Sequence, residues 1–375
     1  GAGRPERIGP SVWQGVYVSL AGGLLLFPLG CIAPAVFAFV GHPAEVQDLE
    51  VAYFRILSYG AVLPILNAAL AAFFTGRGRP APVMWVNLLA TGVNVVFNYL
   101  LIFGRCGFPE LGIVGAAIST VFSSLVSTVV YFLLFLRRRN DALYATRRAL
   151  SPDWELLQRV ARFGFPSGVQ FFVDIAGFAV FILLVGRIGT VELAATNISF
   201  NINALAFMPM IGLGTAISIL VAQYVGENRV GLAERSVWSG AILCFTYMGL
   251  TALAYFLVPD FFIRFFSPRA NPPGFRSIRD IAVVLLRFVA VYSLFDTMNI
   301  VFASAIRGAG DTRFVMIMIL ILSTGVLIVP SYLALVVFRA GLLTAWIFVT
   351  LYIALLGVGF LARFLQGRWK QMRVI

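Results

Sequence analysis

Phe314-Val-Met-Ile-Met-Ile-Leu-Ile-Leu-Ser-Thr-Gly-Val-Leu-Ile-Val-Pro330-Ser-Tyr-Leu-Ala-Leu-Val-Val337 runs for 24 residues without a charged side chain. As a helix it is about 36 Å long, enough to cross a hydrocarbon core of about 30 Å. Nine further stretches share its apolar character: 12–40, 50–74, 81–103, 112–136, 163–185, 191–224, 236–257, 281–306 and 341–365. The whole chain agrees with them. Of its 375 residues 60% are hydrophobic and only 12% charged, half the charged share of an ordinary soluble domain. A water-facing globular protein cannot be built from this material. The expected fold class is an all-α polytopic membrane protein with ten transmembrane helices.

Several chemistries are excluded early. Cys31, Cys106 and Cys244 are too few and too scattered for a disulfide framework or a metal cluster. The single histidine, His42, speaks against histidine zinc sites and Ser-His-Asp hydrolysis. No GxxxxGK[ST] phosphate loop occurs, so the chain is not itself an ATP-driven motor. No enzyme activity and no cofactor are expected. Prolines 28, 34, 64, 166, 209 and 330 fall inside the apolar stretches. Each should bend its helix, and the carbonyl it frees must face protein or water rather than lipid.

The arginines set an orientation. With the polar linker 137–162 placed in the cytoplasm, alternate loops put 19 basic residues inside, 7 outside (Arg105, Arg187, Arg264, Arg269, Arg276, Arg279, Arg339) and 2 within spans. That obeys the positive-inside rule, with the C-terminus also cytoplasmic. The basic excess of 28 over 16 acidic groups is therefore topological and predicts no nucleic-acid partner. A plasma (inner) membrane protein, multi-pass and monomeric, is expected. The outer cluster Arg264–Arg279 has no account at this level.

An internal repeat organises the chain. Gly1-Ala-Gly-Arg4 with Ser11-Val-Trp-Gln-Gly15 matches Gly226-Glu-Asn-Arg229 with Ser236-Val-Trp-Ser-Gly240, at an offset of 225. Arg55/Arg287, Asn67/Asn299, Gly76-x-Gly78/Gly308-x-Gly310 and Val83-Met84/Val315-Met316 follow at 232, and Thr91-Gly-Val93/Thr324-Gly-Val326 at 233. The first four stretches thus repeat as the last four, a step of six helices. This is the parallel-repeat plan of many secondary transporters. It predicts an incomplete N-lobe at 1–140 (helices 3–6 of an expected twelve), a linker at 141–160 and a complete six-helix C-lobe at 161–375. The parent would carry two more spans before Gly1.

Inside the bilayer, Arg55 and Arg287 lie near helix ends and can snorkel. Asp174 and Asp296 cannot. Asp174 lies about 18 Å along its helix from Arg162, and Asp296 about 16 Å from Arg307 on a helix running the other way. Two carboxylates at matched depth in one lobe are costly, and groups at that depth mark functional sites by default. They could share a proton or hold Na⁺ through hard oxygen ligands. Tyr292 lies one turn from Asp296, and Asn197, Asn201 and Asn203 offer polar lining. In the N-lobe, Asn94 and Asn98 are spaced i,i+4 and, with Asn67 and Asn87, could line a second polar pocket. The glycine turns GRG (76–78) and GAG (308–310) read as tight turns between helices rather than phosphate loops.

Phe74-Thr-Gly-Arg-Gly-Arg79, Asn94-Val-Val-Phe-Asn98-Tyr-Leu-Leu-Ile-Phe-Gly104, Pro109-Glu-Leu-Gly-Ile-Val-Gly-Ala-Ala117, Phe171-Phe-Val-Asp174, Phe207-Met-Pro-Met-Ile-Gly212 and Ala305-Ile-Arg-Gly-Ala-Gly-Asp311-Thr together resemble the multidrug and toxic compound extrusion (MATE) family, over essentially the whole chain. The resemblance implies a V-shaped antiporter that expels cationic or amphiphilic compounds in exchange for H⁺ or Na⁺. It implies that Asp174 and Asp296 are the acidic residues of a NorM-like cation site, with Tyr292 linked to them. Asn94 resembles the family's fifth-helix asparagine, and Asn98 stands where many members have aspartate. Two other readings are a lipid-linked oligosaccharide flippase of the same superfamily and, remotely, an intramembrane aspartyl protease, since 308–311 spells GxGD.

Overall fold

A computed structural model describes residues 3–40, 43–147, 150–266 and 273–372. Gly1, Ala2, His42 and Arg269, named above, lie outside the described residues, as do Arg148 of the linker and Arg373 at the C-terminus. Among the described residues every element is helical. Ten helices are long and apolar enough to span a membrane: Pro5–Phe39, Ala44–Thr75, Ala81–Ile102, Gly112–Phe135, Trp154–Gly186, Thr190–Gly226, Val230–Leu257, Gly274–Gly308, Thr312–Val337 and Leu342–Leu365. Several extend further into the polar flanks than the apolar stretches indicate, because a helix continues past the hydrocarbon boundary for as long as nothing stops its hydrogen-bond ladder. Contacts divide the chain into two compact units, Arg4–Ala161 and Arg162–Ile375.

The first unit contains α1 (Ile8–Val40), α2 (Ala44–Gly60), α3 (Val62–Thr75), α4 (Ala81–Ile102), α5 (Gly112–Phe135) and a short α6 (Arg138–Tyr144). The stretch 50–74, expected as one helix, is two: it starts at Ala44 and breaks at Ala61. Pro64 has no N–H for the Gly60 carbonyl, so the ladder fails there. Gly60 also packs against Val121 of α5, where a Cβ would lie 2.5 Å from Val121 Cγ2. Pro34 of α1 frees the Gly30 carbonyl in the same way, and Arg55 Nε donates to it at 3.3 Å. Arg55 is thus a backbone partner across helices, not only a snorkelling anchor. Leu70, Phe73, Phe74, Tyr131 and Phe135 form the core at the opposite end of the unit. There α6, only seven residues long, is held by Arg77. That guanidinium lies 3.6 Å from the Phe73 ring centroid and 4.6 Å from that of Tyr144. Trp13 Nε1 donates to the Thr146 carbonyl at 2.8 Å.

The second unit takes most of α7 (Trp154–Gly186), then α8 (Thr190–Gly226), α9 (Val230–Leu257), α10 (Pro259–Ile263), α11 (Pro273–Gly308), α12 (Thr312–Leu322), α13 (Val329–Tyr332) and α14 (Leu342–Leu365). α11 is its central helix. Half of its membrane window is buried, against 11% for the peripheral α4. α8, α9 and α14 pack around it. Small residues permit the closest approaches: a Cβ at Gly214 would meet Ile300 and Ser304, and one at Gly357 would lie 2.5 Å from the Phe295 carbonyl oxygen. The span 312–337 is not regular. π-helical segments Ser323–Ile328 and Leu333–Val337 flank α13, which carries Pro330. The wider π ladder absorbs the hydrogen bond that Pro330 cannot make. In the basic cluster Arg264–Arg279, Arg279 pairs with Asp260 at 2.7 Å, and that hydrogen bond holds the Asp260 carboxyl below its ordinary range.

The repeat read from residue identities recurs in the backbone. α3 ends with Gly78 N donating to the Thr75 carbonyl and Arg79 N to that of Phe74; α11 ends with Gly310 N donating to Arg307 and Asp311 N to Ile306. The two sets differ by 232 at every position. Gly78 and Gly310 both adopt positive φ (+68° and +102°), as the Schellman termination requires. At an offset of 233, Arg105 N bonds the Leu100 carbonyl and Phe338 N that of Leu333. At 225, Gly3 and Asn228 share positive φ. The glycine turns are helix stops.

Candidate functional site

Asp174 is placed by α7, which meets the rest of its unit through a few close contacts. Gly177 lies under Ser323, where a Cβ would sit 2.6 Å from Oγ. Phe178 and Phe181 pack edge-on or tilted against Phe200 of α8. These contacts turn the Asp174 face of α7 inward, towards α14. The Tyr352 hydroxyl donates to Asp174 Oδ1 at 3.1 Å. Asp296 is buried on the central helix, and Asn299 Nδ2 donates to its Oδ1 at 3.1 Å. The two carboxylates lie in the same unit, Asp174 on α7 facing α14 and Asp296 on the central α11. Gln170 and Ser323 border the same space.

Above this pair stands an aromatic wall. Tyr292 and Phe200 stack on the fully buried Trp346, with centroids at 6.3 and 5.1 Å. Trp346 Nε1 reaches Thr196 Oγ1 at 3.4 Å. Asn203 Nδ2 donates to the Tyr292 hydroxyl at 3.3 Å. Gln170 Oε1 and Asn203 Oδ1 are buried with no partner among the described residues. A buried, unpaired amide oxygen is costly in the interior and is a ready ligand for a cation. The arrangement offers two carboxylates, a phenol and amide oxygens inside an apolar bundle, a donor set suited to a proton or a hard monovalent ion and not to a soft metal. Among the described residues no group of three or more His, Cys, Asp or Glu side chains converges.

Of the residues expected at the site, Asn203 bonds Tyr292, which lies one turn from Asp296 on α11, while Asp174 bonds Tyr352 of α14. Asn201 stands apart: it is exposed, and its Nδ2 bonds the Asn197 carbonyl of its own helix at 2.8 Å. In the first unit, Asn98 Nδ2 donates to Asn94 Oδ1 at 3.0 Å. Asn67 is tied to α5 through the Ser124 carbonyl and the Thr128 hydroxyl, and Asn87 through Tyr131. Asn94 and Asn98 thus pair on α4, while Asn67 and Asn87 each tie their helix to α5. Sequence reasoning missed Gln170, Asn299's contact with Asp296, and Tyr352. Gln170 was findable, one helical turn before Asp174. Tyr352 was not, because an aromatic within an apolar run reads as core. Arg307, taken as a turn marker, is half-buried and within electrostatic reach of Asp174. Asp311 of the GxGD string is held by Arg363 at 2.7 Å.

Comparison with known proteins agrees with this architecture. The MatE family model matches residues 1–100 and 166–333. A probable multidrug resistance protein NorM of Thermotoga maritima is 26% identical over 376 residues, covering 100% of this chain and 79% of that protein. One from Rhizobium meliloti is 29% identical over 331 residues, covering 86% and 69%. The crystal structure of a eukaryotic MATE transporter, AtDTX14, superposes with a TM-score of 0.85 at 18% identity, covering 99% of this chain and 81% of that one. With the family model spanning well over half of its length, this ten-span helical chain belongs to the MatE family.

Proposed function

We infer that the protein is a multidrug efflux transporter that moves cationic or amphiphilic small molecules across the membrane in exchange for H⁺ or Na⁺ at Asp174 and Asp296. The observation that supports the coupling site is the hydrogen bond from Tyr352 to Asp174 in the same helical unit as a second buried carboxylate, Asp296. A cation bound there neutralises the repulsion between them and favours the bundle arrangement that keeps them together. Substrate must favour the other arrangement, because only a difference in affinity between two states shifts the equilibrium. The aromatic wall of Tyr292, Trp346 and Phe200 supplies apolar and π surface of the sort that holds flat cations. The relatives' names support drug export, and the arginine distribution supports an inner membrane with the linker 137–162 and the C-terminus in the cytoplasm. A monomer suffices for the cycle.

The test is transport of a cationic dye by the reconstituted protein with pH and Na⁺ gradients imposed separately. Asp174→Asn and Asp296→Asn are each expected to abolish gradient-driven efflux at normal expression. Wild-type efflux by both variants under either gradient would overturn the coupling site.

A further inference from the structure

In the first unit, the C-terminal end of α5 and the polypeptide after it form a groove of about 440 Å³ lined by Val129, Phe132, Leu133, Leu136, Arg137 and Arg147. Its floor is apolar, and Val129 and Leu133 are exposed. On a membrane-spanning helix such residues meet hydrocarbon. Its rim carries two guanidinium groups. The α5 span ends at Phe135, so Arg137 and Arg147 lie just past the hydrocarbon boundary, at the depth of lipid phosphates. Arg147 is fixed in place: its Nε donates to the Leu136 carbonyl at 2.7 Å, and its backbone N–H to Asp141 Oδ1 at 2.7 Å. Neither Arg137 nor Arg147 pairs with a carboxylate among the described residues. Two cations not paired with a carboxylate, one of them held in place, beside an apolar trough match a ligand that is an anion at one end and hydrocarbon at the other.

We propose that this groove binds an anionic glycerophospholipid, with Arg137 and Arg147 on the phosphate and the upper acyl chain along Val129, Phe132 and Leu133. Guanidinium groups take phosphate oxygens in a paired geometry that an ammonium cannot reproduce. The α6 segment, too short to persist alone, would be braced by the lipid from outside as Arg77 braces it from within. A free phosphate ion would leave the apolar floor without an occupant.

The full chain, released from a neutral detergent for native mass spectrometry, is titrated with palmitoyl-oleoyl phosphatidylglycerol or phosphatidylcholine. Phosphatidylglycerol is expected to bind more tightly. Its affinity should fall about tenfold or more in R137Q/R147Q. It should stay near the wild-type value in R138Q/R139Q, which removes the same charge from α6 outside the groove. Unchanged binding in R137Q/R147Q would overturn the proposal. So would an equal loss in both pairs, which would mean a diffuse charge effect, or displacement of the lipid by millimolar inorganic phosphate, which would mean a bare anion site.

Discussion

The Tyr352 hydroxyl reaches Asp174 across the helix interface at 3.1 Å, and this bond ties the loosely packed α7 to α14 at mid-membrane depth. Tyr352→Phe keeps the ring and its edge contact with Phe178 while removing the hydroxyl that donates to Asp174. A hydrogen bond to a charged group contributes about 1.5–3 kcal/mol, so ion-coupled efflux is expected to slow about tenfold and thermal stability to fall by an amount of that order. Rates equal to wild type under every imposed gradient would take Tyr352 out of the site.

If Asp174 and Asp296 serve one cation, their effects cannot add. The double variant Asp174→Asn/Asp296→Asn is expected to lose no more cation affinity than the weaker-binding single variant, because residues acting as a unit fail together. Additive losses in cation affinity would mean two separate sites.

Asp311 and Arg363 make a shielded ion pair, with side chains 9% and 14% exposed, and Arg363 also lies 4.5 Å from the Phe314 ring centroid. Removing one partner leaves an uncompensated buried charge, which typically costs about 3–5 kcal/mol. Arg363→Met should lower the melting temperature of the detergent-solubilised protein sharply. Adding Asp311→Asn should recover part of that loss. A double variant as unstable as Arg363→Met would mean the arginine acts through its ring contact alone.

Pro34 frees the Gly30 carbonyl and Arg55 occupies it. Arg55→Met should cost about 1–3 kcal/mol by leaving that oxygen unpaired. In the Pro34→Ala background the helix supplies its own N–H, and Arg55→Met should cost far less. A thermal-denaturation double-mutant cycle measures the coupling. A zero interaction energy would dissociate Arg55 from the proline.

The ten spans were legible because membrane helices must be continuous and apolar to hide their own backbone. That rule left its mark in runs such as 314–337. The break at Ala61 was only half legible: Pro64 announced a bend, but the close seat of Gly60 on Val121 depends on a helix remote in sequence. At the candidate site, Asp174 and Asp296 stood out because charge is rare at that depth. Tyr352 did not, because its meaning lies in the bond it makes across an interface and not in its residue type. The three asparagines of α8 looked alike in sequence, and only Asn203 faces Tyr292. A turn of about 100° per residue sends its neighbours elsewhere.

The matched helix stops at Gly78 and Gly310 give the molecule a built-in experimental control. The same two hydrogen bonds and the same left-handed residue close α3 and α11, but only α11 carries a mid-membrane acid. An alanine placed at either glycine meets a left-handed backbone, harsher at Gly310 (+102°) than at Gly78 (+68°). Comparing transport in the two variants, each normalised to its own loss of stability, separates the acid-bearing helix from its repeat mate within one polypeptide.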